Sequence, residues 1–393
     1  MMTKHFSITG CVACIVLVYS CIALSSDKNQ NLPGHSNKLR SQKINMNEAN
    51  SLLAAVQVGD KWGFINNKGT YVINLQFDEA SPFSEDLAVV RIGGKMGKEG
   101  YIDRKGKYVI NPQFDQAADF SEGLAAVRVG AGEGKWGFID KNGKYVIDPQ
   151  FDPATMYEPS FSQGLACVKV GGKEGKWGFI NKSGKYVIAP QFDSADSFSE
   201  DLAAVKVGAE KGKWGFINKS GKYVIDPRFD AVYPFSEGLA AVEVNNGEGV
   251  IGKYGFIDKE GKYVIDPRFD AVYPFSEGLA AVGIENETWK YGFIDRSGKF
   301  AINPQFCYVG SLSEGLVAVN IGCKEGKMGF IDKSGKYIIN PMYEGSFFSV
   351  RCGTFHQGVV PVKLAGDNGK VGYINKLGKV IIKPKFDFAG EFH

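Results

Sequence analysis

The sequence predicts an all-β array of tandem three-stranded antiparallel units forming an open or superhelical β-solenoid, with a closed, propeller-like array as the alternative. Three observations carry this. A glycine recurs at Gly63, Gly100, Gly137, Gly178, Gly215, Gly255, Gly292, Gly329 and Gly372, in steps of 37, 37, 41, 37, 40, 37, 37 and 43 residues, and a period in that range marks stacked repeats. Around each glycine lie short apolar and aromatic runs of strand length. Between the runs an Asp or Asn, a base and a glycine spell a tight hairpin turn, the Asx starting it and the glycine supplying positive φ. The 50 glycines among 393 residues are about twice the usual share of roughly 7%.

In chain order, residues 1–26 read as an export signal. Lys4 and His5 precede an apolar run, Cys11–Leu24, which is shorter than the roughly 20 residues of a membrane span. Val18-Tyr19-Ser20-Cys21 resembles a bacterial lipobox, which would make Cys21 the lipidated residue, whereas Ala23-Leu24-Ser25 is an ordinary small-x-small cleavage site. Both routes stay open, with an uncleaved anchor as a third. All of them place the chain outside the cytoplasm, in the cell envelope or secreted. Residues 27–50 are rich in Asn, Ser, Lys and Gln and read as a flexible tether. Residues 51–393 form the array of about nine units.

Within one unit, Leu239–Val244, Lys253–Asp258 and Lys262–Ile265 read as the three strands, with Pro227, Pro267 and their equivalents ending the third. The connector, such as Arg228–Gly238, carries two aromatic anchors, Phe229 and Phe235. Apolar residues fall on both faces of the strands, so each unit must be covered on both sides by neighbours, and one unit cannot stand alone. Gly221–Val242 and Gly261–Val282 are identical over 22 residues, the mark of a duplicated module.

The run Lys213-Trp214-Gly215-Phe216-Ile217-Asn218-Lys219-Ser220-Gly221-Lys222-Tyr223-Val224-Ile225-Asp226-Pro227 recurs in register over roughly 340 of the 393 residues. In these residues the chain resembles the WG-repeat (KWG, or WG-containing repeat) family of bacteria. The resemblance implies an extracytoplasmic repeat protein of binding or unknown function and brings no catalytic residue with it. Nine copies and uneven steps favour an open stack, since propellers usually have 4–8 blades of four strands each.

The tryptophan position reads Trp62, Glu99, Trp136, Trp177, Trp214, Tyr254, Tyr291, Met328 and Val371. Trp136, Trp177, Trp214, Tyr254 and Tyr291 are candidate ligand-stacking rings, since aromatic faces stack on sugars and attract organic cations. Core packing is the competing reading, favoured by Met328 and Val371, which keep bulk but lose the π face. The hairpin tips carry paired bases, among them Lys182/Lys185, Lys219/Lys222 and Lys259/Lys262, while Glu122, Glu200, Glu237, Glu277 and Glu314 sit in the connectors. Stacking would set a basic ridge apart from an acidic one.

Catalysis finds no constellation. Past the signal only His35, His356 and His393 remain, and the turn carboxylates Asp140, Asp258, Asp295 and Asp332 recur once per unit as turn acceptors. Nothing calls for a cofactor or a metal: the Asp140 turn lacks the spacing of a calcium loop, and no Cys/His ligand spacing appears. Of the cysteines outside the signal, Cys307 and Cys323 are the first pair for a disulfide, but incidental thiols are the favoured reading of Cys167, Cys307, Cys323 and Cys352. A formal charge of +3 gives no basis for nucleic-acid binding. The expected role is non-enzymatic: an extended surface for a protein partner, or alternatively for a cell-envelope carbohydrate or anionic glycopolymer held by aromatics and basic tips. A membrane enters only through a lipid anchor or uncleaved signal.

Overall fold

The computed structural model describes residues 52–393 except 131, 133, 155–156, 246–251, 286–287, 324–325, 345–352 and 365–368. The signal, Cys21, the tether, His35 and Cys352 lie outside the described residues.

The unit has four strands rather than three. In the fifth unit they are Ser194–Ala195, Leu202–Val207, Lys213–Asn218 and Tyr223–Phe229, neighbours in that order and all antiparallel. The extra strand comes from the connector, where Ser194 and Ala195 pair with Lys206 and Val205. It is only two residues long, too short to show the alternation that marks a strand. The proline does not end the last strand either. Tyr223–Phe229 runs through Pro227 because it is the outer strand of its sheet, where a missing N–H leaves no ladder partner unsatisfied. Its register slips at the proline: Phe216 pairs with Ile225, but Trp214 pairs with Phe229. The resulting bulge lays the Ile225–Pro227 backbone over Gly215, where a β-carbon would fall 2.5 Å from the Ile225 carbonyl oxygen. Only glycine fits beneath it, hence its recurrence after each tryptophan position.

Hairpin turns follow the sequence reading. Asn218 accepts the Ser220 and Lys222 N–H groups with its side chain, and Gly221 sits at φ +82° with the previous unit's Ile188 against it.

Alternate residues of the second strand face opposite neighbours: Ala203 and Val205 pack toward the fourth unit, Leu202 and Ala204 toward the sixth. Each apolar cluster therefore belongs to two successive units. Among the described residues nine such clusters occur, whereas nine units in an open row meet at only eight places. The ninth joins the chain's two ends, with Ala54, Val56 and Ile65 packing on Tyr373, Ile382, Phe386 and Phe392. Here Phe388–Phe392 pairs antiparallel with Leu53–Val58 and supplies the short strand of the first sheet. Leu53 and His393 exchange both backbone hydrogen bonds at 3.0 Å.

Among the described residues no sheet curls into a barrel, but the row of sheets closes on itself. The open or superhelical solenoid is thus corrected to a closed, propeller-like array. The reason is the two-faced burial: an open row would leave an apolar sheet face bare at each end. Between the eighth and ninth units, Glu344 pairs with Lys363 and merges two sheets into one of seven strands.

Candidate functional site

Four sets of repeated residues bear on function. In the first, the tryptophan position, Trp136 is 2% and Trp177 8% exposed. Trp136 belongs to the cluster between the third and fourth units, with Arg128 over its ring at 6.0 Å. Trp177 meets Tyr157 edge-on at 4.8 Å. These two rings present no open face to a ligand and act as packing. Trp214, Tyr254 and Tyr291 are half-buried, Tyr254 against Tyr233 and Tyr291 against Tyr273, each at 6.1 Å. Where glutamate takes this position, Glu99 is buried against Arg91 and accepts the Ala117 N–H. Burial pushes its carboxyl up, with Arg91 opposing.

The second set is the hairpin tips, and here the two separate ridges become one interlocked rim. From the second unit on, the first base of the tip reaches an acid in the connectors. Lys182 pairs with Glu122 at 3.3 Å, Lys219 with Asp201 at 2.8 Å and Lys259 with Glu200 at 3.2 Å. Those glutamates also accept a backbone N–H of the next unit's turn, Glu122 from Gly164 and Glu200 from Gly238. The second bases, Lys185, Lys222 and Lys262, are exposed and make no ion pair among the described residues. Each lysine immediately precedes the last strand of its unit, and two residues further on, within that strand, stand the exposed Val187, Val224 and Val264. A lysine–valine stripe thus faces outward from successive units.

The third set escaped the sequence reading, although a constant spacing of 17 residues marks it. The lysine before the tryptophan position pairs with the aspartate after the last strand: Lys61 with Asp78 at 2.7 Å, Lys98 with Asp115 and Lys176 with Asp193 at 2.6 Å. The other carboxylate oxygen accepts N–H groups of the following loop, as Asp78 does from Gly93 and Gly94 at 2.8 Å. The lysine and the loop N–H groups hold Asp78 and Asp193 down to about 2. In the seventh unit Cys307 replaces the aspartate and is disulfide-bonded to Cys323. The favoured reading of both as incidental thiols is therefore corrected; Cys167 is a buried free thiol.

The fourth set is the connector turns, which hydrogen-bond from unit to unit. Ser162 donates to the Phe198 carbonyl and Ser199 to that of Phe235, each at 2.8 Å. At the closing seam histidines take the serine's place, and the rings of His356 and His393 stack at 4.9 Å. Near the third and fourth units, burial and then the charge of Glu99 push Asp119 up to about 6 and Glu158 to about 7. Among the described residues no three His, Cys, Asp or Glu side chains converge as a metal set.

No curated protein matches the chain. Among solved structures, the crystal structure of a eukaryotic initiation factor superposes with a TM-score of 0.62 at 10% identity, covering 87% of this chain and 98% of that one. BamB from Moraxella catarrhalis gives a TM-score of 0.36 at 10% identity, over 84% of this chain and 87% of its own. The first likeness concerns the fold alone. The profile of the WG containing repeat matches nine times, at residues 62–95, 100–132, 136–173, 177–211, 214–247, 254–289, 291–324, 328–366 and 372–393. With those matches in register with the nine units, the chain belongs to the WG-repeat family.

Proposed function

We propose that this protein is a non-enzymatic, extracytoplasmic scaffold that binds a protein partner across several units at once. The observation that carries this is the outward lysine–valine stripe: Lys185 with Val187, Lys222 with Val224 and Lys262 with Val264, all exposed and repeated from unit to unit. Apolar side chains exposed in a regular row beside charges fit a contact surface, and repetition lets weak contacts add through effective concentration. The outer strand bearing the stripe carries a proline and a bulge, which block strand addition, so side chains make the contact. The unpaired lysines also favour a second reading, an anionic glycopolymer held by charge. The buried Trp136 and Trp177 do not support stacking on sugars.

Capture from a cell-envelope fraction by the immobilised full chain separates the two. A scaffold for protein loses capture when the fraction is treated with protease, and loses it about tenfold or more in the Val187→Ser/Val224→Ser/Val264→Ser chain. Capture that survives protease and disappears only in the Lys185→Gln/Lys222→Gln/Lys262→Gln chain or at high salt rejects the protein partner and supports the glycopolymer.

A further inference from the structure

We propose that Cys307 and Cys323 form a redox-active pair that exchanges with small thiols, Lys290 holding Cys307 as its thiolate in the reduced state. Other units keep an ionic contact at this place. There an aspartate anion sits between a lysine ammonium and the N–H groups of the next loop, as in Lys61–Asp78–Gly94 and Lys176–Asp193–Gly208. In the seventh unit the lysine and the loop N–H remain while the anion is changed. Lys290 Nζ lies 3.2 Å from Cys307 Sγ and 3.7 Å from Cys323 Sγ, and the Cys323 N–H donates to the Cys307 sulfur at 3.1 Å, so Cys307 has both the nearer ammonium and the N–H. A sulfur so placed is stabilised as an anion, and a thiolate so stabilised is both a good leaving group and the nucleophilic form.

Cys323 supplies a second, independent observation. It stands where other units have Gly94, Gly172 or Ala209, at a backbone φ of +33° where Ala209 has +48°. Residues with a β-carbon are uncommon in that region, and this one places a sulfur within reach of Cys307. The pair is also open to reagents, since Cys323 is exposed and Cys307 only partly buried. Because an anion suits this position in other units, reduction leaves the unit held by the Lys290–Cys307 pair rather than undone.

A thiolate of a small dithiol attacks Cys323 Sγ, the S–S bond breaks, and its electron pair leaves on Cys307 Sγ. The second thiolate of the dithiol then attacks the mixed disulfide, forms a cyclic disulfide and releases Cys323. Two electrons pass from the dithiol to the protein. Of the two protons the dithiol gives up, one ends on Cys323 and the other in solvent.

The test uses the full chain reduced with dithiothreitol and alkylated with iodoacetamide, each site being followed by mass spectrometry. At pH 6.5 Cys307 is expected to react at least about tenfold faster than Cys323, and about tenfold faster than Cys307 in Lys290→Gln, because one opposite charge at this range changes ionisation by a power of ten or more. Lys290→Arg keeps the fast rate. Equal rates at the two cysteines, or a Cys307 rate unchanged in Lys290→Gln or lost in Lys290→Arg, overturn the proposal. The pH profile of Cys307 in the unaltered chain gives a reading independent of any variant's folding: a midpoint below that of free cysteine supports it, and a midpoint at or above that value overturns it.

Discussion

Gly215 shows how one residue carries the geometry of the unit. Its recurrence is plain in the sequence, but its reason is not, because the backbone that lies on it belongs to a bulge ten residues away. A β-carbon at Gly215 would stand 2.5 Å from the Ile225 carbonyl oxygen and 2.7 Å from Pro227 N, and backbone cannot swing aside as a side chain can. Gly215→Ala is therefore expected to destabilise the chain by about 1–3 kcal/mol, read as a lower urea midpoint at unchanged slope. A midpoint equal to the parent's would show that the bulge does not press on this glycine. Gly221 was legible for the opposite reason: its turn is spelled locally by Asn218-Lys219-Ser220-Gly221, and φ +82° is what that spelling requires. The tryptophan position stood between the two. Its tolerance of Met328 and Val371 points to packing; Trp136 and Trp177 are buried, while Trp214, Tyr254 and Tyr291 are half-buried.

At the scale of elements, the three long strands were legible from alternation and turn chemistry, whereas the short fourth was hidden in a connector. Phe229 and Phe235 were visible as anchors and are both buried at 1% exposure, yet nothing local shows that Ala231 and Val232 between them pair with Glu243 and Val242. The joining of basic tips to acidic connectors was likewise invisible, since Lys259 and Glu200 are 59 residues apart and meet only when successive units pack. The turn at the seam yields a pH dependence. Burial first, then the charges of His356 and Arg104, push His393 down to about 4, while the Glu391 carboxyl, hydrogen-bonded to Thr354, is pushed up by burial. With a folded value below the ordinary 6.5, His393 contributes full stability above about pH 6.5. As pH falls toward 4, the unfolded chain takes up a proton that the folded chain refuses, and stability is lost. Between pH 7 and 4.5 the chain should lose on the order of 1–3 kcal/mol more than His393→Ser, which carries the residue usual at this turn. Burial pushes Asp119 and Asp196 up to about 6, and they act with the opposite sign. They are common to both chains, so the difference in urea unfolding isolates His393, and parallel profiles would contradict its role.

At the scale of the whole molecule, the repeat was legible and its closure was not. Nine units and uneven steps favour an open stack, but step lengths reflect loops and say little about how the faces meet. What decides closure is the connector segment Phe386-Asp387-Phe388-Ala389-Gly390-Glu391-Phe392-His393, whose short strand completes the sheet begun by Leu53–Val58. Every sheet then has both faces covered, and the hairpin tip of the first unit rests on the last, with Lys385 donating to the Gly69 carbonyl at 3.1 Å. Under the proposed scaffold role, the contact surface would span successive units of the closed row, so it would depend on closure. The most direct test is the distance between the exposed Lys68 and Lys383, measured with a label pair attached through genetically encoded, non-cysteine residues. The closed array places them near each other, giving one short distance. An open row of nine sheets spaced about 10 Å apart would separate them by about 80 Å, and a distance of that size would contradict the ring.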